Sequence, residues 1–129
     1  MKVYINCKCD YKKADSSMKK SIFDNMVRLN EKLSTLHITD INQVFNNDGI
    51  TYDRINSQLY LYKGHGCNGI QLRIVYAAIH NDDSGIEFYV VDYISKTKNN
   101  KDYIKIFHEK YHNCNLSTLQ FVDVMEYTR

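Results

Sequence analysis

Val3, Ile5, Cys7 and Cys9 alternate with Tyr4, Asn6 and Lys8 at the start of the chain. A period of two puts every second side chain on one side of an extended backbone, so the pattern predicts a strand over residues 2–9 with one covered face. Past a polar stretch, Met18, Ile22, Met26, Leu29, Leu33 and Leu36 recur every three or four residues, while Lys19, Lys20, Asp24, Arg28 and Glu31 fill the opposite side. That spacing predicts an amphipathic helix of about 20 residues, capped by Asp15 or Ser16. A short second helix over 38–45 is expected next. It closes on Asn46, Asn47, Asp48 and Gly49, residue types that tolerate the positive φ of a turn.

The pattern then changes to strands over 58–63, 69–80 and 85–95, joined through His65-Gly66-Cys67-Asn68-Gly69 and Asn81-Asp82-Asp83-Ser84. Short polar connections between such runs predict an antiparallel meander. The run QLRIVYAAIH is apolar almost throughout, as a central strand covered on both faces would be. Arg73 sits in the middle of it. A last helix over 99–113 presents Ile104, Phe107, His108 and Tyr111 to one side, and the tail fits strand or helix. The order of elements gives an α+β fold: a small antiparallel sheet with two N-terminal helices and one C-terminal helix. A chain of 129 residues suits a single domain over 1–129, with 114–129 as a C-terminal extension.

Composition narrows the class. With 43% hydrophobic and 25% charged residues, disorder, collagen and coiled coil are excluded. No apolar run approaches the roughly 20 residues that cross a bilayer, and MKVYINCKCDYKK lacks a signal peptide's apolar core. A cytoplasmic protein without a membrane role is expected. Cys7, Cys9, Cys67 and Cys114 are too few and too irregular for a disulfide scaffold, so free thiols are expected. The net charge of +2 hides an uneven distribution. Four acids and no bases fall within 81–95, whereas five lysines face only Asp102 and Glu109 within 96–110. Such a run suits a phosphate-bearing partner, its plain alternative being a solvated helix face.

The segment LYLYKGHGCNGIQLRIVYAAIH, followed by FYVVDYISKTKNNKDYIKIF, resembles the core of the RelE/HigB superfamily of bacterial toxins from toxin–antitoxin pairs. The resemblance rests on a strand ending in a basic residue before a turn, on Leu72-Arg73-Ile74-Val75-Tyr76, and on Ile94-Ser95-Lys96-Thr97-Lys98 leading into a helix. It covers roughly residues 59–111 and implies a RelE-like fold. It also implies an endoribonuclease cleaving mRNA on the ribosome without metal or cofactor, held inactive by an antitoxin protein. Lys63, Arg73, Lys96 and Lys98 then match RNA-binding positions, and Tyr103 matches a helix tyrosine at the active site of some members. The chain departs from the family in its connection over 49–57, in lacking a proline after the lysine-rich turn, and in its segment 114–129.

Metal-free RNA cleavage lets the substrate's 2′-hydroxyl attack the adjacent phosphate, so the protein must move two protons and stabilise added negative charge. Arg73 is the first choice for that charge, because a guanidinium stays ionised and grips phosphate with paired donors. Its plain alternative is a solvent-facing residue or a partner for Asp92. Lys96 joins Arg73, Tyr103 and His65 as candidate catalytic residues; His65, between Gly64 and Gly66, is a candidate general base or acid. Tyr60, Tyr62, Tyr76, Tyr89 and Tyr93 offer a stacking surface. Two readings of other classes compete: a gyrase inhibitor of the ParE type or non-catalytic phage or protein-binding module on the same fold, and a zinc hydrolase. The latter uses His108-Glu109-Lys110-Tyr111-His112, an H-E-x-x-H pattern with two histidines one helical turn apart. Lys110 beside the metal position and the missing third histidine argue against it.

Overall fold

The computed structural model describes residues 1–9, 14, 16–35, 53–66, 71–81, 85–96 and 103–123. These form β1 (Lys2–Asn6), α1 (Ser16–Thr35), β2 (Asp53–Arg54), β3 (Tyr60–His65), β4 (Gln71–Asn81), β5 (Gly85–Lys96), α2 (Tyr103–Tyr111), a 3-10 turn (Leu116–Thr118) and β6 (Phe121–Asp123). The helix expected over 38–45 lies outside the described residues.

Among the described residues the strands build one six-stranded sheet in the order β2-β3-β4-β5-β1-β6. The expected meander is present as β3-β4-β5. The sheet is nevertheless mixed rather than antiparallel, because β1 lies parallel to β5, with Val3 opposite Phe88 and Ile5 opposite Val90. Alternation fixes which face of a strand is covered, but neither its neighbour nor its direction. β1 also stops at Asn6, short of the predicted 2–9. The Asn6 side chain donates to the Val91 carbonyl (3.1 Å) and accepts from the Lys8 amide (3.2 Å), an Asx-type turn that takes Cys7 and Cys9 out of the strand. The tail folds back: Cys7 N–H donates to the Gln120 carbonyl (2.9 Å), and β6 pairs antiparallel with β1. Residues Phe121–Asp123 of the expected C-terminal extension are thus an edge strand of the sheet.

One core lies on each side. Ile22, Met26, Leu29 and Leu33 of α1 pack on Val3, Ile5, Tyr60, Tyr62, Leu72, Ile74, Tyr76, Phe88 and Val90. Each such side chain is worth about 1.5–3 kcal/mol relative to leaving it in water, and this stripe holds α1 in place. On the other side, Tyr103, Phe107 and Tyr111 of α2 pack on Leu59, Leu61, Val75, Ala77 and Val91. The stripe therefore runs through every fourth residue from Tyr103, with Ile104 and His108 only half-buried. A bulge in β5 aids this packing. Val75 stands opposite Asp92 but Tyr76 opposite Val90, so consecutive residues Val91 and Asp92 both serve the α2 side. No helix among the described residues is long and apolar enough to cross a membrane.

Candidate anion-binding site at the end of the sheet

The α2 side of β3 and β4 is apolar as far as the row Leu61–Val75 and then becomes polar. Lys63 stands opposite Arg73, and His65 opposite Gln71; directly paired residues share a face, their Cα atoms about 5 Å apart. On the far side of β4, Arg73 pairs with Ile94 and Gln71 with Lys96. Two neighbouring rows of one ladder thus bring together Lys63, His65, Arg73 and Lys96. Lys98 lies outside the described residues. Lys63, His65 and Gln71 are exposed.

Arg73 is different. Its side chain is 0% exposed, so it neither faces solvent nor projects openly toward a substrate. Nε donates to the Tyr103 hydroxyl (2.9 Å), Nη1 to the Leu72 carbonyl (2.9 Å) and Nη2 to Gln71 Oε1 (3.2 Å). The guanidinium also lies 5.2 Å from the centre of the Tyr103 ring, within cation–π reach. All three acceptors are neutral. Asp92, the carboxylate weighed from sequence as its partner, is taken by α2: it accepts a short hydrogen bond from the Tyr111 hydroxyl and pairs with Lys110 (3.4 Å). Burial and this carboxylate together raise the Tyr111 hydroxyl far above its ordinary pKa. Among the described residues no carboxylate meets Arg73. A buried guanidinium served only by neutral dipoles has given up hydration without gaining a counter-charge.

On the α1 side, the same end of β3 is clamped by Asn25, itself 1% exposed. Its Nδ2 donates to the Ser21 carbonyl (2.7 Å) and the His65 carbonyl (2.9 Å); its Oδ1 accepts from the His65 amide (3.2 Å) and from Arg28 Nη2 (3.2 Å). An amide offers four hydrogen-bonding positions, and here all are used. The clamp requires Gly64. A Cβ there would stand 2.4 Å from Asn25 Oδ1. The backbone of His65 is therefore fixed while its imidazole stays exposed. Arg28 also reaches the His65 carbonyl (3.4 Å) and opposes the rise that burial imposes on the Tyr62 hydroxyl, adding a cation to this end of the sheet.

The H-E-x-x-H segment does not assemble a metal site among the described residues, where no three His, Cys, Asp or Glu side chains gather. His108 lies half-buried in α2, while Glu109 and, just beyond the helix, His112 are exposed. Asn56 fastens that helix end instead, donating to the carbonyls of Tyr111 (3.2 Å), His112 (3.3 Å) and Cys114 (3.0 Å).

Of the groups named from sequence, the structure brings Arg73 and Tyr103 into contact and sets Lys63, His65 and Lys96 in register around them. Sequence reasoning missed Gln71 and Arg28. Gln71 carried a usable signal, since residues two apart on a strand share a face and Gln71 and Arg73 are so spaced. Arg28 carried none, because its contact spans 37 residues. Fold and site define an α+β protein with a cationic sheet end around a buried guanidinium. No family model, curated protein or solved structure matches this chain.

Proposed function

We propose that the protein is the toxin of a toxin–antitoxin pair, a RelE/HigB-type endoribonuclease that cleaves mRNA on the ribosome without metal. The supporting observation is that Lys63, His65, Arg73 and Lys96 occupy adjoining rows of one ladder around a guanidinium with no carboxylate among the described residues. In this reading Lys63 and Lys96 hold the RNA backbone, and the His65 imidazole transfers a proton. Arg73, held in place by the Tyr103 hydroxyl, supplies positive charge from beneath. The 2′-oxygen attacks phosphorus as its proton passes to the His65 imidazole, the bond to the 5′-oxygen breaks, and the leaving oxygen takes up a proton from water. An antitoxin covering the exposed Lys63 and His65 would silence the site.

The test is RNA cleavage by purified protein in EDTA, free and with translating ribosomes, the ends mapped by primer extension. Products with a cyclic phosphate and a 5′-hydroxyl are expected. Losing a proton-transfer group costs about 100-fold or more, so His65→Ala should fall by that factor while its unfolding curve stays unchanged. The full burial of Arg73 favours a second reading, a non-catalytic binding module or ParE-type inhibitor on the same fold. Growth arrest on expression, with intact mRNA and no effect of His65→Ala, selects that reading.

A further inference from the structure

Gln71 stands in an unusual place. It is exposed, yet its Oε1 is the acceptor for Nη2 of a guanidinium that is wholly covered. On either side of it in the ladder are His65 and Lys96, and Lys63 lies opposite Arg73. The other two acceptors on the guanidinium belong to the folded frame: Leu72 O is main chain, and the Tyr103 ring is part of the α2 core. Of the three, only the Gln71 carboxamide can leave by side-chain rotation into water without disturbing a strand or a core. The Tyr103 hydroxyl accepts from Nε, so its own hydrogen is directed away from Arg73.

We infer that Gln71 Oε1 stands in for an anion oxygen on Arg73, and that a phosphate group displaces the carboxamide to bind Nη2 between Lys63 and His65. A carboxamide oxygen is a neutral acceptor of the same reach as a phosphate oxygen. Exchanging it for an anion adds the attraction between two full charges to a hydrogen bond in which only the donor was ionised, and gives the buried cation its counter-charge. Gln71 then keeps the guanidinium satisfied in the absence of ligand and yields when phosphate arrives. The proposed ribonuclease function is needed here only to make that phosphate part of RNA.

The experiment follows the Arg73 Nε–H resonance of the intact chain as inorganic phosphate is added, then as a dinucleoside monophosphate is added. A saturable shift is expected in the wild type. Gln71→Ala removes the competitor and should tighten phosphate by about three- to tenfold, the factor one net hydrogen bond is worth. Gln71→Glu places a carboxylate on Nη2 and should abolish the shift near neutral pH. A wild-type shift that never saturates, a Gln71→Ala affinity equal to wild type, or a response confined to Lys63 and His65 would each overturn the inference. Cleavage assays on the same variants separate the two claims. Phosphate binding that tightens in Gln71→Ala without RNA cleavage by any form keeps the site and ends the ribonuclease reading. RNA cleavage with an unresponsive Arg73 signal does the reverse. Tighter binding of the dinucleoside than of phosphate assigns the site to RNA, and the opposite order assigns it to free phosphate.

Discussion

Asn25 and Arg73 lie at the same end of β3 and β4, on opposite faces of the sheet, and both are buried. The carboxamide of Asn25 has every donor and acceptor filled by Ser21, His65 and Arg28. The guanidinium of Arg73 has three neutral acceptors for five N–H groups and a full charge. A saturated neutral group in a core is a fastening, since breaking it strands its partners. A desolvated charge that meets no carboxylate among the described residues is a poor fastening, and on the proposal above a ligand completes it. Each variant below should separate these two kinds of buried polar group or show that they are one kind.

The largest effect belongs to the clamp. Asn25→Ala leaves the His65 amide and carbonyl without their partner and should cost about 3 kcal/mol in urea unfolding. Gly64→Ala should cost nearly as much, because its Cβ would lie 2.4 Å from Asn25 Oδ1 and that amide is held from four directions. The double variant should be little worse than either single one, since both remove the same contacts. Additive losses would mean that Gly64 serves something other than Asn25.

Asn56 is a fastening of the same kind at the other end of α2. Its Oδ1 accepts from the Gln58 and Leu59 amides (both 2.8 Å) while Nδ2 serves three carbonyls at the helix end. Terminal carbonyls of a helix need outside donors, so Asn56→Ala should lower stability by about 2 kcal/mol. RNA cleavage per folded molecule should not change. A selective loss of cleavage would mean that α2 placement reaches Tyr103 more directly than packing implies.

The sequence showed one of these groups and hid the other. Arg73 stood out because it interrupts an apolar run, and the three strands followed from their period; the register that gathers Lys63, His65 and Lys96 did not, because β3 and β5 run on through His65 and Lys96, which were expected in the connections. α1 was equally legible, its 20 residues matching the spacing of Met18, Ile22, Met26, Leu29 and Leu33. Asn25 gave no signal: a lone asparagine on a helix reads as surface, and its partner is 40 residues away. The parallel pairing of β1 was hidden for the same reason, as it joins residues 85 apart. The burial of Arg73 was illegible too, because periodicity places a residue on a face without saying what covers it. The expected α2 face of Ile104, Phe107, His108 and Tyr111 holds for Phe107 and Tyr111 but lacked Tyr103, which supplies the hydroxyl over Arg73.

Arg73→Met tests the contrast directly. Replacing a desolvated charge by an apolar chain of similar length is often neutral or stabilising, so its unfolding free energy should stay within about 1 kcal/mol of wild type, far from Asn25→Ala. Phosphate binding and RNA cleavage should both be lost. A destabilisation matching that of Asn25→Ala would make Arg73 a fastening and remove the reason for assigning it a ligand.

The smallest effect concerns the carboxylate that Arg73 does not use. Asp92 is committed to Tyr111 and Lys110, and farther along β5 Glu87 accepts from the Tyr89 hydroxyl (2.8 Å). Burial and Glu87 push the Tyr89 hydroxyl up to about 12, and burial and Asp92 raise that of Tyr111 as well. An acid whose pKa is raised on folding holds its proton more tightly in the native state. Its stabilisation is complete below the unfolded value near 10 and is lost as pH climbs through the folded one. Stability should thus be level up to pH of about 10 and decline above it, with part of the decline absent in Tyr111→Phe. Alkaline melting curves alongside tyrosinate absorbance would read both. If Asp92 were instead exchanging between Tyr111 and Arg73, the decline would be shallow and Tyr111→Phe would strengthen the Asp92–Arg73 pair at the expense of phosphate. The saturated pairing on α2 predicts unaltered phosphate affinity in that variant.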